Sequence, residues 1–331
     1  DLNKQSFLVD LTHPDGLRAV RRLVGMSDVV VSNFRPGVMA RYRLDAETLL
    51  AEHPRLIVAT SSANGSTGPE AGAPGLASIF GASGGLSEQT GYADGPPTEI
   101  GESTDYRSAN ALAVAILAAL VYRHRTGTGQ SVDLSSREVV VAHAPDAVLA
   151  NLFGTPWDAR RGNHHDTMVP HDLYPCVGED EWISIAIGDQ REWAALCNVL
   201  HRPQWGEELG TPELRGEHRK AIDEVISAWT SIRTPDEAFH LLQEQGVPAA
   251  PSFTNRQLAM DAHVAAREVF TEVDHPEIGV HKVMREPWLL SGADCPIRRP
   301  GPLRGQDNAF VLENLLGLEP ESGAANEAAF R

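Results

Sequence analysis

Cysteine is scarce in this chain. Cys176, Cys197 and Cys295 are all it has, an odd number with no CxxC pair. That excludes a disulfide framework and predicts reduced thiols and a cytoplasmic location. Positive charge is short as well: 28 Lys and Arg stand against 45 Asp and Glu, for a net charge of -17. A nucleic-acid binder needs a basic face, so that class is excluded. A phosphate-bearing ligand is not, because a local Arg patch or a helix N-terminus holds phosphate on an acidic protein. No apolar run approaches the roughly 20 residues of a membrane span, Ala111 to Val121 being far too short. There is no Walker sequence and no GxGxxG, which weakens a nucleotide-cradle reading. There is no GxSxG elbow, which argues against a serine hydrolase. The three cysteines lack the context of a nucleophile and are read as packing residues.

What is present is an ordinary globular composition, 42% hydrophobic over 331 residues, enough for two domains. Ser6 to Leu11 reads as a short strand, and Pro14 with Asp15 opens a helix. Asp28 to Ser32 and Leu56 to Thr60 read as buried strands, with a helix from Asp45 between them. Gln130 to Leu134 is a further strand, followed by one helix over Ser135 to Ala150 that includes Glu138. Strands separated by helical patterns predict βαβ units and a parallel sheet. Ligands of such sheets bind beyond the carboxyl ends of the strands, where the turn Asn33-Phe34-Arg35-Pro36-Gly37 leads toward Arg41. Arg35 and Arg41 are either surface residues or phosphate ligands. Residues 161–295 read as a smaller α+β domain, with Trp182 to Ile187 as an antiparallel strand. Helices are expected over Gln190–Leu200, His218–Ile232, Pro235–Gln245 and Asn255–Phe270, and short strands over Thr271–Leu290. Residues 296–318 are expected to return to the large domain (1–160), and 319–331 to be a disordered tail.

Two stretches could carry chemistry. Gly162-Asn163-His164-His165-Asp166 is a solvated loop, a substrate-facing loop or a metal site, although adjacent histidines on one loop rarely ligate together. The other runs from Gly95 to His124, a Gly/Pro-rich loop joined to the apolar run Ala111–Val121. Asp105 sits at the junction, where a helix N-cap falls and where a carboxylate meets the positive end of the helix dipole. On spacing alone Asp105 is read as a cap, with a catalytic carboxylate as the rarer alternative.

Five segments in order resemble a known family. LNKQSFLVDLTHPDG is similar to N-x-x-K-R-S-x-x-L-D-L-K-x-P-x-G, and SDVVVSNFRPGVMARYRL to A-D-V-V-x-E-N-F-R-P-G-x-x-x-R-L-G-L. HPRLIVATSSANGSTGP is similar to N-P-R-L-I-x-x-S-x-x-G-x-G-x-x-G-P, and RHRTGTGQSVDLSSRE to R-x-x-T-G-x-G-Q-x-V-D-x-S. Between them, DGPPTEIGESTDY with its apolar helix resembles the catalytic segment. The family is the family III CoA-transferases (CaiB/BaiF), which includes formyl-CoA transferase and α-methylacyl-CoA racemase. The resemblance covers nearly the whole chain, although the family's opening strand–helix–strand portion has no counterpart before Asp1.

The resemblance implies a Rossmann-like large domain with a parallel sheet, a small α+β domain and an interlocked dimer. It implies CoA transfer between an acyl-CoA and a free carboxylic acid, with no permanently bound cofactor and no metal. It puts Asp105 at the catalytic aspartate, and Asn33, Phe34, Pro36 and Arg41 in the CoA-contacting segment. Its mechanism passes through an aspartyl anhydride and an aspartyl-CoA thioester, and backbone N–H groups at Gly84 and Gly85 are candidates for the oxyanion site. Leu76 and Ala77 stand where the racemase has His-Asp and formyl-CoA transferase has Tyr-Glu, which argues against racemisation and against formyl or oxalyl specificity. His164, His165 and Asp166 replace glycines of a flap and are expected to help choose the acyl group. The expected partners are acyl-CoA and a small carboxylic acid, with a homodimer as the assembly and a heteromer as its alternative; nucleic acid and membrane are not expected. A non-catalytic subunit of a heteromeric transferase is the competing function, and a racemase the third.

Overall fold

The computed structural model describes residues 1–100, 103–155, 157, 160–318 and 329–330. The chain groups into two compact units. The first runs Asp1–Arg160 and resumes at Thr271; the second is Arg161–Phe270. The sequence reading carried residues 271–295 with the smaller domain, whereas here they group with the first unit.

In the first unit, α1 (Pro14–Gly25) precedes β1 (Val29–Ser32), α2 (Val38–Arg41) and α3 (Ala46–Glu52). β2 (Ile57–Ser62), α4 (Ala77–Ser83), α5 (Ser103–Thr126) and β3 (Gln130–Ser135) follow, then α6 (Ser136–Ala142) and α7 (Pro145–Leu152). The strands form a parallel sheet in the order β1-β2-β3. The apolar residues Ile57, Val58 and Ala59 bury the central strand on both faces, as parallel sheets require. Val24, Leu44, Leu49 and Leu56 close the core on one side, while Leu112 and Leu134 pack with Ala59 on another. Asp45 caps α3 by accepting from Thr48 N at 3.0 Å.

Three elements differ from expectation. Ser6–Leu11 is not a strand: its amides are taken by the far end of the chain, Ser6 N donating to Asp307 Oδ2 at 2.7 Å and Asp10 N to Ala329 O at 2.8 Å. The helix over Ser135–Ala150 is two, broken at His143–Ala144 because Pro145, at the first position of α7, has no N–H to continue the ladder. Most of the tail expected to be disordered lies outside the described residues. Ala329 and Phe330 are described, and they are packed: Ala329 is buried and Phe330 lies 5.8 Å from Phe7, ring to ring.

The second unit has an antiparallel sheet of β4 (His171–Pro175), β5 (Trp182–Ala186) and β6 (Ala249–Pro251). Helices α8 (Gln190–Val199), α9 (Trp205–Glu208), α10 (Pro212–Glu217), α11 (Arg219–Thr230) and α12 (Pro235–Glu244) surround a core that includes Trp193, Ile183, Ile185, Ile222 and Leu242. The expected helix over Asn255–Phe270 is split into α13 (Asn255–Met260) and α14 (Ala262–Ala266), because Asp261 leaves the helical path to cap α14 through Val264 N. Phe270 ends this unit and opens β7 (Phe270–His275), whose remaining residues and partner β8 (Gly279–Met284) group with the first unit. Among the described residues no helix is long and apolar enough to cross a membrane.

Candidate active site

The carboxyl ends of β1 and β2 carry the loops that shape two cavities, of about 330 and 440 Å³. β1 ends at Ser32, and the chain turns through Asn33–Gly37 into α2. Gly37 has φ +86°, the left-handed region that a side chain disfavours. Phe34 lines the first cavity and Asn33 the second, while Arg35, Pro36 and Ser62 line both. Arg41, at the last residue of α2, is exposed and lines neither cavity. Arg35 is the arginine of this turn that lines both cavities. Its guanidinium has no hydrogen-bond or ion-pair partner among the described residues, and the buried Ser62 Oγ has none either. An exposed guanidinium beside a buried, unpartnered hydroxyl fits a polar, anionic ligand, and of the two only the hydroxyl is costly to leave unpaired.

Asp133 on β3 lines the first cavity and holds the loop after β2. Ser66 N donates to its Oδ2 at 2.9 Å and Ser66 Oγ to its Oδ1 at 2.8 Å. The loop after β2 is tied down further on: Asn64 Nδ2 donates to Glu70 O at 3.1 Å, and Arg137 pairs with the Glu70 carboxylate. The second cavity's apolar wall is Ala73, Pro74, Leu76 and Ile79, at the head of α4. Leu76 carries no group that moves a proton.

Asp105 lies inside the first turn of α5, two residues past the helix's first residue, Ser103. The sequence reading made it the cap; the helix begins earlier, so it is a first-turn acid instead. Its side chain is exposed and has no hydrogen-bond or ion-pair partner among the described residues. The neighbouring Thr104 is buried and donates from Oγ1 to Ala77 O at 3.1 Å, which docks the start of α5 on the start of α4.

Gly84 and Gly85 do not supply free donors. Gly84 N–H donates to Phe80 O at 2.9 Å and Gly85 N–H to Ala82 O at 3.0 Å, closing the C-terminus of α4. This removes both from the oxyanion site. Gly84 is needed for packing, because a Cβ there would stand 2.5 Å from Val140 Cγ1. Glu138 is a first-turn acid of α6, and its N–H donates to the capping Ser135 Oγ at 3.2 Å.

In the second unit, the loop with His164, His165 and Asp166 is tied to itself. His165 Nδ1 accepts from Thr167 N and Met168 N, both at 3.2 Å, and Asn163 Nδ2 donates to Asp172 Oδ1 at 2.9 Å. His164 Nε2 lies 3.6 Å from Asp172 Oδ2. The hydrogen bond from Arg161 holds the Asp166 carboxyl below the usual carboxylate range. No group of three or more His, Cys, Asp or Glu among the described residues has the geometry to hold a metal ion.

The model of CoA-transferase family III matches residues 1–308. This chain belongs to the family III CoA-transferases. The family assignment makes it a transferase of CoA. It is 33% identical over 329 residues to the succinyl-CoA–D-citramalate CoA-transferase of Chloroflexus aurantiacus, covering 98% of this chain and 82% of that one. It is 30% identical over 322 residues to the succinyl-CoA–L-malate CoA-transferase beta subunit of the same organism, covering 96% and 79%. Among solved structures it is similar to a CaiB/BaiF family protein from Brucella suis, with a TM-score of 0.83 and 28% identity over 95% of this chain and 82% of that one. Two residues described above were not singled out by the sequence reading, Ser62 with its buried Oγ and the anchoring Thr104, whereas Arg35 was named there as a surface residue or a phosphate ligand. Arg35 had a signal, since it stands within the turn; Ser62 and Thr104 had none that local pattern could show.

Proposed function

We propose that the chain moves CoA between an acyl-CoA and a free carboxylic acid by covalent catalysis at Asp105. The exposed, unpartnered carboxylate in the first turn of α5 carries this reading. A carboxylate nucleophile conserves the thioester energy, because each intermediate remains an activated acyl group. Asp105 attacks the thioester carbonyl and expels CoA thiolate, leaving a mixed anhydride. The thiolate attacks the aspartyl carbonyl, which releases the donor acid as a carboxylate and forms an aspartyl-CoA thioester. The acceptor carboxylate attacks that thioester, again expelling thiolate and forming a second anhydride. Thiolate attack on the acceptor's carbonyl then frees the new acyl-CoA and regenerates Asp105. No step consumes an electron or needs a permanently bound cofactor.

Arg35, Asn33, Phe34 and Pro36 bind CoA in this reading, with Arg35 in the phosphate-binding role. The relatives' names make a succinyl donor and a hydroxydicarboxylate acceptor the first pair to assay. The His164–Asp166 loop contributes to acyl choice. The active species is a homodimer, supported by large apolar side chains left exposed: Leu117 is 61% accessible, Leu152 75% and Phe153 79%. The name of the L-malate relative, a beta subunit, favours a heteromer as the second reading.

The test is chemical trapping. Protein incubated with succinyl-CoA and quenched with hydroxylamine or borohydride is digested and analysed by mass spectrometry. The expected result is modification of Asp105, with Asp105→Ala folded but inactive. Transfer by Asp105→Ala at the wild-type rate would end the proposal. A heteromer subunit without chemistry of its own stays unmodified and gains activity only when a second subunit is added.

A further inference from the structure

Thr104 precedes Asp105 and is completely buried, at 0% exposure. Its Oγ1 donates to the carbonyl of Ala77, the first residue of α4, at 3.1 Å. Its methyl group faces Gly81 one turn along α4, and Thr104 Cγ2 lies 3.6 Å from where a Cβ on that glycine would stand. One turn on, the buried Ser108 Oγ donates back to Thr104 O at 2.9 Å. Hydroxyl, methyl and carbonyl of one residue are therefore all engaged at the junction of the two helix heads.

The same helix head forms a wall of the second cavity. Leu76, next to Ala77, and Ile79 both line it. Successive residues of an α-helix are turned by about 100°, so a threonine fixed inward leaves its successor directed away from the packed face. A β-branched side chain held at both Cβ substituents has one rotamer available. The first turn of α5 consequently has one register against α4.

We propose that Thr104 is a positioning residue: its hydroxyl bond to Ala77 sets where the Asp105 carboxylate stands relative to the cavity wall of Leu76 and Ile79. This rests on the reading of Asp105 as nucleophile. Covalent transfer needs the attacking oxygen within a near-attack distance, and a shift of about 1 Å costs about 100-fold in rate. Thr104→Val keeps the shape and loses the hydroxyl, leaving the Ala77 carbonyl without that donor. Thr104→Ser keeps the hydroxyl and loses the methyl group.

The experiment measures steady-state transfer with succinyl-CoA and, separately, the rate at which hydroxylamine-trappable Asp105 appears. For Thr104→Val the expected result is a fall in kcat and in trapping rate of about 100-fold, with KM for succinyl-CoA within about twofold. Thr104→Ser holds both rates within about threefold of wild type, because the bond to Ala77 survives. If the valine variant does not fold, Thr104→Ala against Thr104→Ser reads the same contrast, alanine being well tolerated in a helix. Folded Thr104→Val or Thr104→Ala that traps at the wild-type rate overturns the proposal, as does a fall expressed only in KM. The two readings fail separately: an active Asp105→Ala removes the nucleophile, whereas an inactive Asp105→Ala beside unimpaired hydroxyl-less variants removes only the role of Thr104.

Discussion

Asn308 holds both polar groups of Leu8: Leu8 N–H donates to Asn308 Oδ1 at 2.7 Å, and Asn308 Nδ2 donates to Leu8 O at 3.1 Å. One side-chain amide thus does for Leu8 what a neighbouring strand does in a sheet. The same Nδ2 also donates to Phe330 O at 2.9 Å, so three chain segments meet at one residue.

Asn308→Ala removes all three bonds and should lower the unfolding free energy by about 2 kcal/mol, two or three net hydrogen bonds' worth. Asn308→Asp keeps the acceptor for Leu8 N–H and loses both donor bonds, so it should fall between. Urea unfolding reads this as a shift in midpoint with an unchanged slope.

Arg35 and Arg41 should separate kinetically. Arg35→Ala should raise KM for the acyl-CoA about tenfold with kcat retained, the loss of one charge-assisted contact of roughly 1.4 kcal/mol. Arg41→Ala, at a residue lining neither cavity, should change KM by less than about twofold. The measurement is a saturation curve at two salt concentrations; equal effects of the two substitutions would contradict the assignment of Arg35.

The Tyr174–Asp223 pair gives a pH signature. Tyr174 donates its hydroxyl to Asp223 Oδ1 at 2.7 Å inside the second unit. Burial pushes the Asp223 carboxyl above its usual range, with repulsion from Asp172 adding to it, while the Tyr174 hydrogen bond and the charge on Arg219 oppose the shift. Because the folded value lies above the unfolded one, the native state binds the extra proton between them. Stability contributed by this group is therefore lost as pH rises from the ordinary carboxylate range through the raised value. Asp223→Asn should remove that slope, seen as unfolding midpoints that part from wild type across the acid range. Tyr174→Phe should cost about 1 kcal/mol near neutrality, because it strips a half-buried carboxylate of its donor.

Arg137 ties the C-terminus of α4 and the loop after β2 to α6: its Nε donates to Ser83 O at 3.1 Å and its guanidinium pairs with Glu70. The pair is largely exposed, so Arg137→Ala should cost no more than about 1 kcal/mol. The backbone bond from Arg137 N to Ala63 O, 2.9 Å, survives that substitution. A thermal melt displaced by more than a few degrees would mean the clamp matters more than its exposure allows.

The parallel sheet was legible because Val29–Val31 and Leu56–Ala59 are unbroken apolar runs, the pattern of strands buried on both faces, although only the second is buried so: on β1 Val31 is 55% exposed. Ser6–Leu11 has strand-like composition too, but a strand needs a partner, and its hydrogen bonds come from side chains some 300 positions away. The turn Asn33–Gly37 was recognisable as a loop at a strand's carboxyl end. Which arginine it turns toward the cavities follows from the path through Gly37 at φ +86°, and no local pattern encodes that. Asp105 was found from its place before an apolar run and from family resemblance. Its position inside the helix was not, since Ser103 and Thr104 are equally good helix starters. The amides of Gly84 and Gly85 looked available because a glycine pair suggests a loop, whereas they finish a helix.

The exposure of Asp105 makes fidelity a matter of competition. An acyl anhydride on an open carboxylate is shared between two acceptors, the CoA thiolate and water, and water is present at overwhelming concentration. Whatever covers Asp105 during turnover therefore sets the ratio of transfer to hydrolysis. On the covalent reading, and if the proposed homodimer supplies that cover, dilution that dissociates it should move the protein from transferase toward wasteful thioesterase. The hydrolysis-to-transfer ratio then becomes a gauge of how well that cover is seated.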